Sequence, residues 1–380
     1  MRILTVTHFF EAHGGGIERV AGHLCRQFAA LGHRPAWAAG YGDDPPAVTT
    51  AEAVPLRCFN LVERLTGLPM PVPAPGAARR LWSAVAGSDA VVIHDALYLT
   101  SVIAMAAGRR LRKPTLLVQH IAGIPFSNPA LRLAVGSANR LVTGPMLRSA
   151  DQVVFISETT RRAFRSVPTR RPPVTLFNGV DSSIFRPGTP GERLAVRSEL
   201  GVPAGRRFLL FVGRFVEKKG LAAVAALARQ RPDLHFVLAG QGPIDPAAWG
   251  LANVTVARGR SGETLASLYR AADLFLLPSV GEGYPLVVQE AMASGLPVLC
   301  GEESARADPG AGPWLTGLAV DLARPEDTAR RAALAIDAHA MGGAERAAMA
   351  RYARQAYDWK AAASRLVDCL AGMRGAAAPG

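Results

Sequence analysis

Short apolar runs recur along this chain, each followed by a stretch whose apolar residues repeat with the helical period, and that alternation limits the fold more than anything else. In the first half the runs are RILTVTH (Arg2–His8), PAWAAG (Pro35–Gly40), AVVIH (Ala90–His94), TLLVQH (Thr115–His120) and QVVFIS (Gln152–Ser157). The second half restarts with RFLLFVG (Arg207–Gly213), then LHFVLAG (Leu234–Gly240), NVTVA (Asn253–Ala257), LFLLP (Leu274–Pro278) and LPVLC (Leu296–Cys300). Between the first two runs, Ile17, Val20, Ala21, Leu24, Cys25, Phe28 and Leu31 share one helical face, with Gly32 as its stop. Apolar strands alternating with helices require parallel sheets covered on both faces. The expected class is therefore α/β, with two Rossmann-like domains whose parallel sheets face each other across a cleft. The boundaries expected are residues 1–180 for the N-terminal domain, a hinge or linker at 181–205 within a Pro/Gly/Arg-rich segment, 206–357 for the C-terminal domain, and a last helix at 358–380 packing back on the first domain.

Composition narrows the class of function. With 49% hydrophobic and 19% charged residues the chain reads as an ordinary globular protein. No apolar run approaches the roughly 18 residues of a membrane span; ALYLTSVIAMAAG (Ala96–Gly108) reads as a core helix, and MRILTVTHFF as an opening strand rather than a signal peptide. Cys25, Cys58, Cys300 and Cys369 are scattered, which indicates neither a disulfide framework nor a zinc site and fits a cytoplasmic location. The net charge is +13, yet only four basic residues are lysines: Lys113, Lys218, Lys219 and Lys360. Arginine-rich codon usage accounts for much of the excess, and an anionic partner is the sharper reading. Nucleic acid is not expected, since no zinc finger, RNA-binding signature or helix-turn-helix is recognisable.

In open parallel sheets, ligands bind at the carboxyl ends of the strands. The distinctive residues fall there: Gly14–Gly16 and Glu18 after the first strand, His94 and His120 ending two others, Arg214 after LLFVG, Gln241–Gly242 after VLAG, and Glu282 after LFLLPS. In VGRFVEKKG (Val212–Gly220), Lys218 and Lys219 stand where the next helix is expected to begin, opposing its dipole. An anion bound between Arg214, Lys219 and free backbone N–H groups would offset that cost. Gly14–Gly16 offers a second place for phosphate oxygens, although it is not the G-x-G-x-x-G fingerprint. In EGYPLVVQE (Glu282–Glu290), Pro285 suits a helix start and Gly295 its end. Glu290 then lies between Leu286 and Val287 on a helix that is otherwise apolar nearly all round, which demands a reason for the carboxylate.

Together GGGIE, NGVD (Asn178–Asp181), VGRFVEKKG, GQGP and EGYPLVVQEAMASGLPV resemble the retaining, family-4-type glycosyltransferases of the GT-B fold, also known as group 1. The resemblance spans nearly the whole chain, and its Glu-x7-Glu pair is the most specific part. It implies a nucleoside-diphosphate sugar, a UDP- or GDP-sugar, bound mainly by the C-terminal domain, an acceptor bound mainly by the N-terminal one, and no other cofactor. It makes Glu290 the acceptor of hydrogen bonds from the donor ribose, a role suited to an ionised carboxylate facing a vicinal diol. Glu282 would contact the sugar hydroxyls or hold Lys219. Arg214 and Lys219 would neutralise the diphosphate leaving group, with Gly15 and Gly16 bringing backbone N–H groups to it. Gly283, Tyr284 and Leu286 are counted among the donor contacts, and His120 is placed beside the anomeric region, with His94 a weaker candidate. His8, His13 and Glu18 line the same edge, toward the acceptor. No Asp-x-Asp pair follows a strand end, GDD at Gly42–Asp44 lying in an early loop, so no metal is expected. No carboxylate nucleophile can be named, and same-face attack is the mechanism the resemblance implies.

One departure stands out: where many members carry Gly-Gly-x-x-Glu after the last apolar run, this chain has GEESARADPGAG (Gly301–Gly312). The segment NLVERLTGLPMPVPAP (Asn60–Pro75), with Leu61, Val62, Arg64, Leu65, Leu68 and Met70, and the basic stretches at Arg109–Lys113, Arg132, Arg140, Arg148 and Arg161–Arg165, suggest a face resting on an anionic membrane. Each cation there would contribute about 1 kcal/mol. A loop packing on its own domain explains the segment equally well. The function expected is hexose transfer to a glycan or lipid-linked acceptor in polysaccharide or cell-envelope synthesis, at the inner face of the cytoplasmic membrane. The alternatives are an inactive sugar-nucleotide-binding scaffold and a GT-B phosphorylase; the latter would need a lysine for pyridoxal phosphate, and Lys360 in a late helix does not suit that role.

Overall fold

The computed structural model describes residues 1–41, 50–60, 70–123, 136–339 and 341–375. Gly42–Asp44, the apolar residues 61–68 with Arg64, and Arg132 lie outside them. The described residues fall into two compact units: residues up to Gly123 with 136–178 and from Trp359 onward, and Gly179–Asp358.

In the first unit, strands β1 (Arg2–Phe9), β2 (Arg34–Tyr41), β3 (Glu52–Phe59), β4 (Val72–Pro73), β5 (Ala90–His94), β6 (Thr115–Gln119), β7 (Gln152–Phe155) and β8 (Val174–Thr175) form a sheet in the order β4-β3-β2-β1-β5-β6-β7-β8. All neighbours are parallel except β3 and β4. Helix Gly16–Ala30 buries Ile17, Val20, Leu24, Cys25 and Phe28, as its periodicity demands, and Gly32 follows it at φ +80°. Strands β5 and β6 are buried throughout, and each buried Val, Leu or Ile side chain contributes about 1.5–3 kcal/mol. Strand β3 is not legible in the sequence because Pro55 interrupts it; its alternating burial, with Leu56 buried between half-buried Pro55 and exposed Arg57, is that of a strand near the sheet edge. The last helix, Trp359–Gly375, belongs to this unit, and Trp359 stacks on His23 with ring centroids 4.7 Å apart.

In the second unit, β9 (Arg207–Val212), β10 (Leu234–Ala239), β11 (Val254–Ala257), β12 (Leu274–Leu277), β13 (Val298–Gly301) and β14 (Leu315–Leu318) form an all-parallel sheet in the order β11-β10-β9-β12-β13-β14. Residues 181–205, expected as a hinge, instead carry helix Pro190–Glu199 and pack within this unit. Thr189 and Glu192 form a capping box that starts the helix. Arg193 and Arg197 both pair with Asp273 ahead of β12, and Arg270 donates to the Ile184 carbonyl. Those ties turn an expected linker into part of the domain. Among the described residues the cysteines are free, and no helix is long and apolar enough to cross a membrane.

Candidate active site

The strand order of the second sheet reverses between β9 and β12, and such a switch point opens a crevice at the carboxyl ends of the two strands. Lys218 and Lys219 stand there, in a 3-10 turn (Glu217–Lys219) rather than in the first turn of the following helix. The helix begins only at Leu221 because Gly220 adopts φ +73°, which interrupts the helical backbone. Gly220 also has no room for a side chain, since a Cβ would lie 2.1 Å from the Pro278 carbonyl oxygen. The Val280 N–H donates to the Lys218 carbonyl at 2.9 Å. These contacts draw the turn onto the segment after β12, where Glu282 stands. Its Oε1 is 3.1 Å from Lys219 Nζ and 3.3 Å from Lys218 Nζ, with the Lys219 and Glu282 side chains 12% and 14% exposed.

The electrostatics follow from that geometry. Burial pushes the Lys219 ammonium below the ordinary lysine value, Lys218 and Arg214 push the same way, and Glu282 pulls it back. Burial would raise the Glu282 carboxyl, but the two lysines bring it below the usual carboxylate range. Arg214 is exposed and near enough for its charge to act on Lys219. Two lysines thus pair with one carboxylate at the sheet's switch point, and the charge of Arg214 reaches Lys219. The loop bearing Arg214 is itself fixed: Phe215 N–H donates to the Gln241 carbonyl at 2.8 Å, and Gly240, at φ +152°, lies so close to Gly213 that a Cβ would meet its oxygen at 1.9 Å.

Beyond Glu282, helix Leu286–Ala293 follows Pro285, which is its N-cap rather than its first residue. Val288, Gln289, Ala291 and Met292 are buried, whereas Leu286, Val287 and Glu290 share a half-buried face. The carboxylate therefore lies on the one side of this helix that the core leaves open. Its Oε2 accepts a hydrogen bond from the Tyr269 phenol at 2.8 Å. Gly283 is buried, and Leu286 opens the helix.

Tyr284, expected among the donor contacts, does not offer its side chain to the crevice. Its side chain is turned inward, the residue being 2% exposed, and its hydroxyl is 2.8 Å from that of Tyr357. Tyr357 donates to Asp308 at 2.7 Å, which leaves its oxygen to accept from Tyr284; Tyr352 donates to the same carboxylate oxygen at 2.8 Å. The departing segment after β13 thus has definite work: Asp308 anchors this network, and Glu303 accepts from the Gly281 N–H at 3.2 Å.

In the first unit the order reverses between β1 and β5, and the ends of those strands and of β6 gather the histidines. His94 is fully buried, and its Nδ1 is 3.0 Å from Nε2 of His120, itself 3% exposed. Burial drives His94 down to about 3 and His120 well below the ordinary histidine value, so both are neutral at physiological pH. Asp95, at φ 64°, accepts from Gln119 Nε2 at 3.2 Å and from the Ile121 N–H at 3.2 Å, fixing the backbone on either side of His120. Glu18 and His8, expected to face an acceptor, are buried against each other instead, 3.1 Å apart and 2% and 3% exposed. Burial would raise the Glu18 carboxyl, but its hydrogen bond with His8 brings it below the ordinary value. The Glu18 carboxylate also fills the space beside Gly15, where a Cβ would lie 2.2 Å from Oε2. Gly15 is small for the sake of that carboxylate; Gly16, by contrast, faces open space. His13 is exposed, with its ring stacked on Phe9 at 4.2 Å.

Two family models match successive parts of the chain: Glycosyltransferase Family 4 over residues 14–184, and Glycosyl transferases group 1 over residues 192–356. The chain belongs to the group 1 glycosyltransferases. The second match contains the whole Lys219–Glu282–Glu290 arrangement, and the first contains the histidine pair. The solved structures it resembles give this group 1 glycosyltransferase the GT-B fold. Sucrose-phosphate synthase from Thermosynechococcus elongatus superposes with a TM-score of 0.72 at 18% identity, covering 99% of this chain and 100% of that one. Anabaena HepE, solved with UDP and glucose, gives 0.66 at 20% identity, covering 98% and 99%. Among curated relatives, the D-inositol 3-phosphate glycosyltransferase of Mycobacterium tuberculosis strain H37Rv is 28% identical over 235 residues, which is 55% of this chain and 46% of the relative. The chain thus aligns with about half the length of the curated relatives it matches.

In this group 1 glycosyltransferase, Arg214, Lys219 and Glu282 are assembled at one switch point and Glu290 on the helix that follows. His120 belongs to the other unit, where it is paired with His94. Sequence reasoning missed Tyr269, the Tyr284–Tyr357–Asp308 network and the closeness of His94 to His120. The only signal for Tyr269 was a tyrosine on the apolar face of helix Gly262–Ala271, whose hydroxyl must find a partner when buried. Among the described residues no three His, Cys, Asp or Glu side chains are grouped to hold a metal ion.

Proposed function

We propose that the chain transfers a hexose, with retention of configuration, from a nucleoside-diphosphate sugar to a glycan or lipid-linked acceptor in the synthesis of a polysaccharide or cell-envelope glycan. The observation that carries this is the pairing of Lys218 and Lys219 with Glu282 at the switch point of the second sheet, with the charge of Arg214 acting on Lys219. A cation pushed below its ordinary value by burial and by neighbouring cations calls for an anion, and a diphosphate supplies one. The solved relatives bound to UDP support that choice of ligand.

On this reading Lys219 and Arg214 neutralise the charge that grows on the departing diphosphate, so their effect is larger in the transition state than in the bound donor. They do so without a metal ion. Glu282 holds Lys219 in place and shares the donor's sugar hydroxyls, while Glu290 accepts from the ribose diol. His120, held neutral, serves as a hydrogen-bonding group for the transferred sugar. The acceptor attacks the anomeric carbon from the face the diphosphate leaves; the new C–O bond forms as the old one breaks, and the departing phosphate oxygen takes the acceptor's proton.

A thermal-shift screen of the full chain against UDP, GDP, ADP and their sugar conjugates tests the assignment. Stabilisation by a nucleoside diphosphate, lost in Lys219→Ala, is the expected result. Stabilisation by none of them, or by a free nucleoside as strongly as by its diphosphate, overturns it.

A further inference from the structure

Glu290 has a long side chain whose terminal torsion is broad, so a carboxylate aimed at two hydroxyls must be held in place by something. Tyr269 is placed to do that. It lies on helix Gly262–Ala271, is 1% exposed, and donates to Glu290 Oε2 at 2.8 Å. Its ring is fixed from two sides, edge-on to Phe185 with centroids 5.6 Å apart at 83°, and tilted against Phe275 at 5.7 Å. A phenol locked by packing presents its O–H in one direction, and that bond takes one of the roughly four lone-pair sites of an ionised carboxylate. Fixing the group before the ligand arrives removes an ordering cost from binding.

We propose that Tyr269 is a positioning residue for Glu290, orienting its carboxylate toward the ribose hydroxyls of the donor nucleotide and thereby setting how strongly this chain prefers a ribose over a sugar that lacks them. The proposal rests on the reading of Glu290 as the ribose acceptor. It concerns the second unit alone, since Phe185, Tyr269, Phe275 and Glu290 all belong to it.

The test is calorimetric titration of the full chain with UDP, GDP and ADP, and then with the 2′,3′-dideoxy form of whichever binds most tightly. Tyr269→Phe keeps the ring and its packing and deletes the hydroxyl. The expected result is a Kd for the ribonucleotide raised about tenfold, with the dideoxy Kd changed less than about twofold. In steady-state assays the KM for the donor should rise while kcat holds. Equal weakening of both nucleotides, or no change in either, overturns the proposal, because a merely structural tyrosine would not act on the hydroxyls selectively. Glu290→Gln separates this from the underlying reading. If that variant keeps the wild-type preference for ribose, the ribose role of Glu290 fails; if it loses the preference while Tyr269→Phe keeps it, only the positioning role fails.

Discussion

Removing Lys219 tests the diphosphate assignment most directly. In Lys219→Ala, Glu282 loses the nearer of its two cations, at 3.1 Å, and keeps Lys218 at 3.3 Å. Breaking a buried pair outright costs about 3–5 kcal/mol because a charge is stranded. Here the second lysine remains and the site is 12–14% exposed at these side chains, so we expect a smaller loss of stability, about 1–2 kcal/mol. The effect on transfer is larger. Losing a donor aimed at developing charge costs about 2–4 kcal/mol of transition-state stabilisation, a fall of roughly thirtyfold to a thousandfold in kcat/KM. The pH dependence adds an independent check. Burial and the neighbouring cations place the Lys219 ammonium below the ordinary lysine value of 10.5, so its charge is lost before that pH is reached. Affinity for UDP, once its phosphates are fully ionised, should therefore decline as pH rises toward 10, and Lys219→Arg, whose cation does not titrate there, should flatten the decline. Isothermal titration between pH 8 and 10, with initial rates at pH 8, provides both readouts. Near-native turnover in Lys219→Ala, or identical pH slopes in wild type and Lys219→Arg, would refute the reasoning.

Three further outcomes are expected. Glu290→Gln should weaken nucleoside-diphosphate binding by about 1.5–3 kcal/mol, the range for a hydrogen bond to a charged group, while the free protein melts within a few degrees of wild type; unchanged affinity with a destabilised free protein would assign Glu290 to structure instead. Gly220→Ala should destabilise the chain by more than the roughly 1 kcal/mol of a left-handed alanine, since its Cβ would also strike the Pro278 carbonyl at 2.1 Å, whereas Gly14→Ala, at φ +82° with nothing within 4 Å, should pay only the conformational cost; urea denaturation of the two compares them. His94, held down to about 3 against an ordinary 6.5, stays neutral in the folded chain while the unfolded chain takes up a proton, so its contribution to stability is present above pH 6.5 and is lost as pH falls toward 3. The loss is at most about 1.4 kcal/mol per pH unit for this imidazole, and His94→Leu should melt with a shallower pH dependence between pH 6.5 and 4.5; equal slopes would show that His94 is not the group responsible.

Only local structure was legible in the order of residues. Near-continuous apolar runs can only be buried parallel strands, and the helical period of Ile17–Phe28 selects its own buried face. Chain order then puts Arg214, Lys219, Glu282 and His120 at strand ends, and the Glu282–Glu290 spacing puts the second carboxylate on a helix. Both proline and glycine punctuation were legible, to within one residue at Pro285. The rest depended on which distant residue comes to lie opposite, and no periodicity carries that. His94 meets His120 from 26 residues away, Tyr269 meets Glu290 from 21, and Tyr284 meets Tyr357 from 73. Nothing in the glycine run announces that the space beside Gly15 holds the Glu18 carboxylate, which His8 meets at 3.1 Å. A Pro/Gly/Arg-rich segment reads as a linker until Asp273, some eighty residues on, claims its arginines. Burial converts such meetings into large energies, because a polar group removed from water must find its partner in the fold, and only the tertiary structure decides which partner that is.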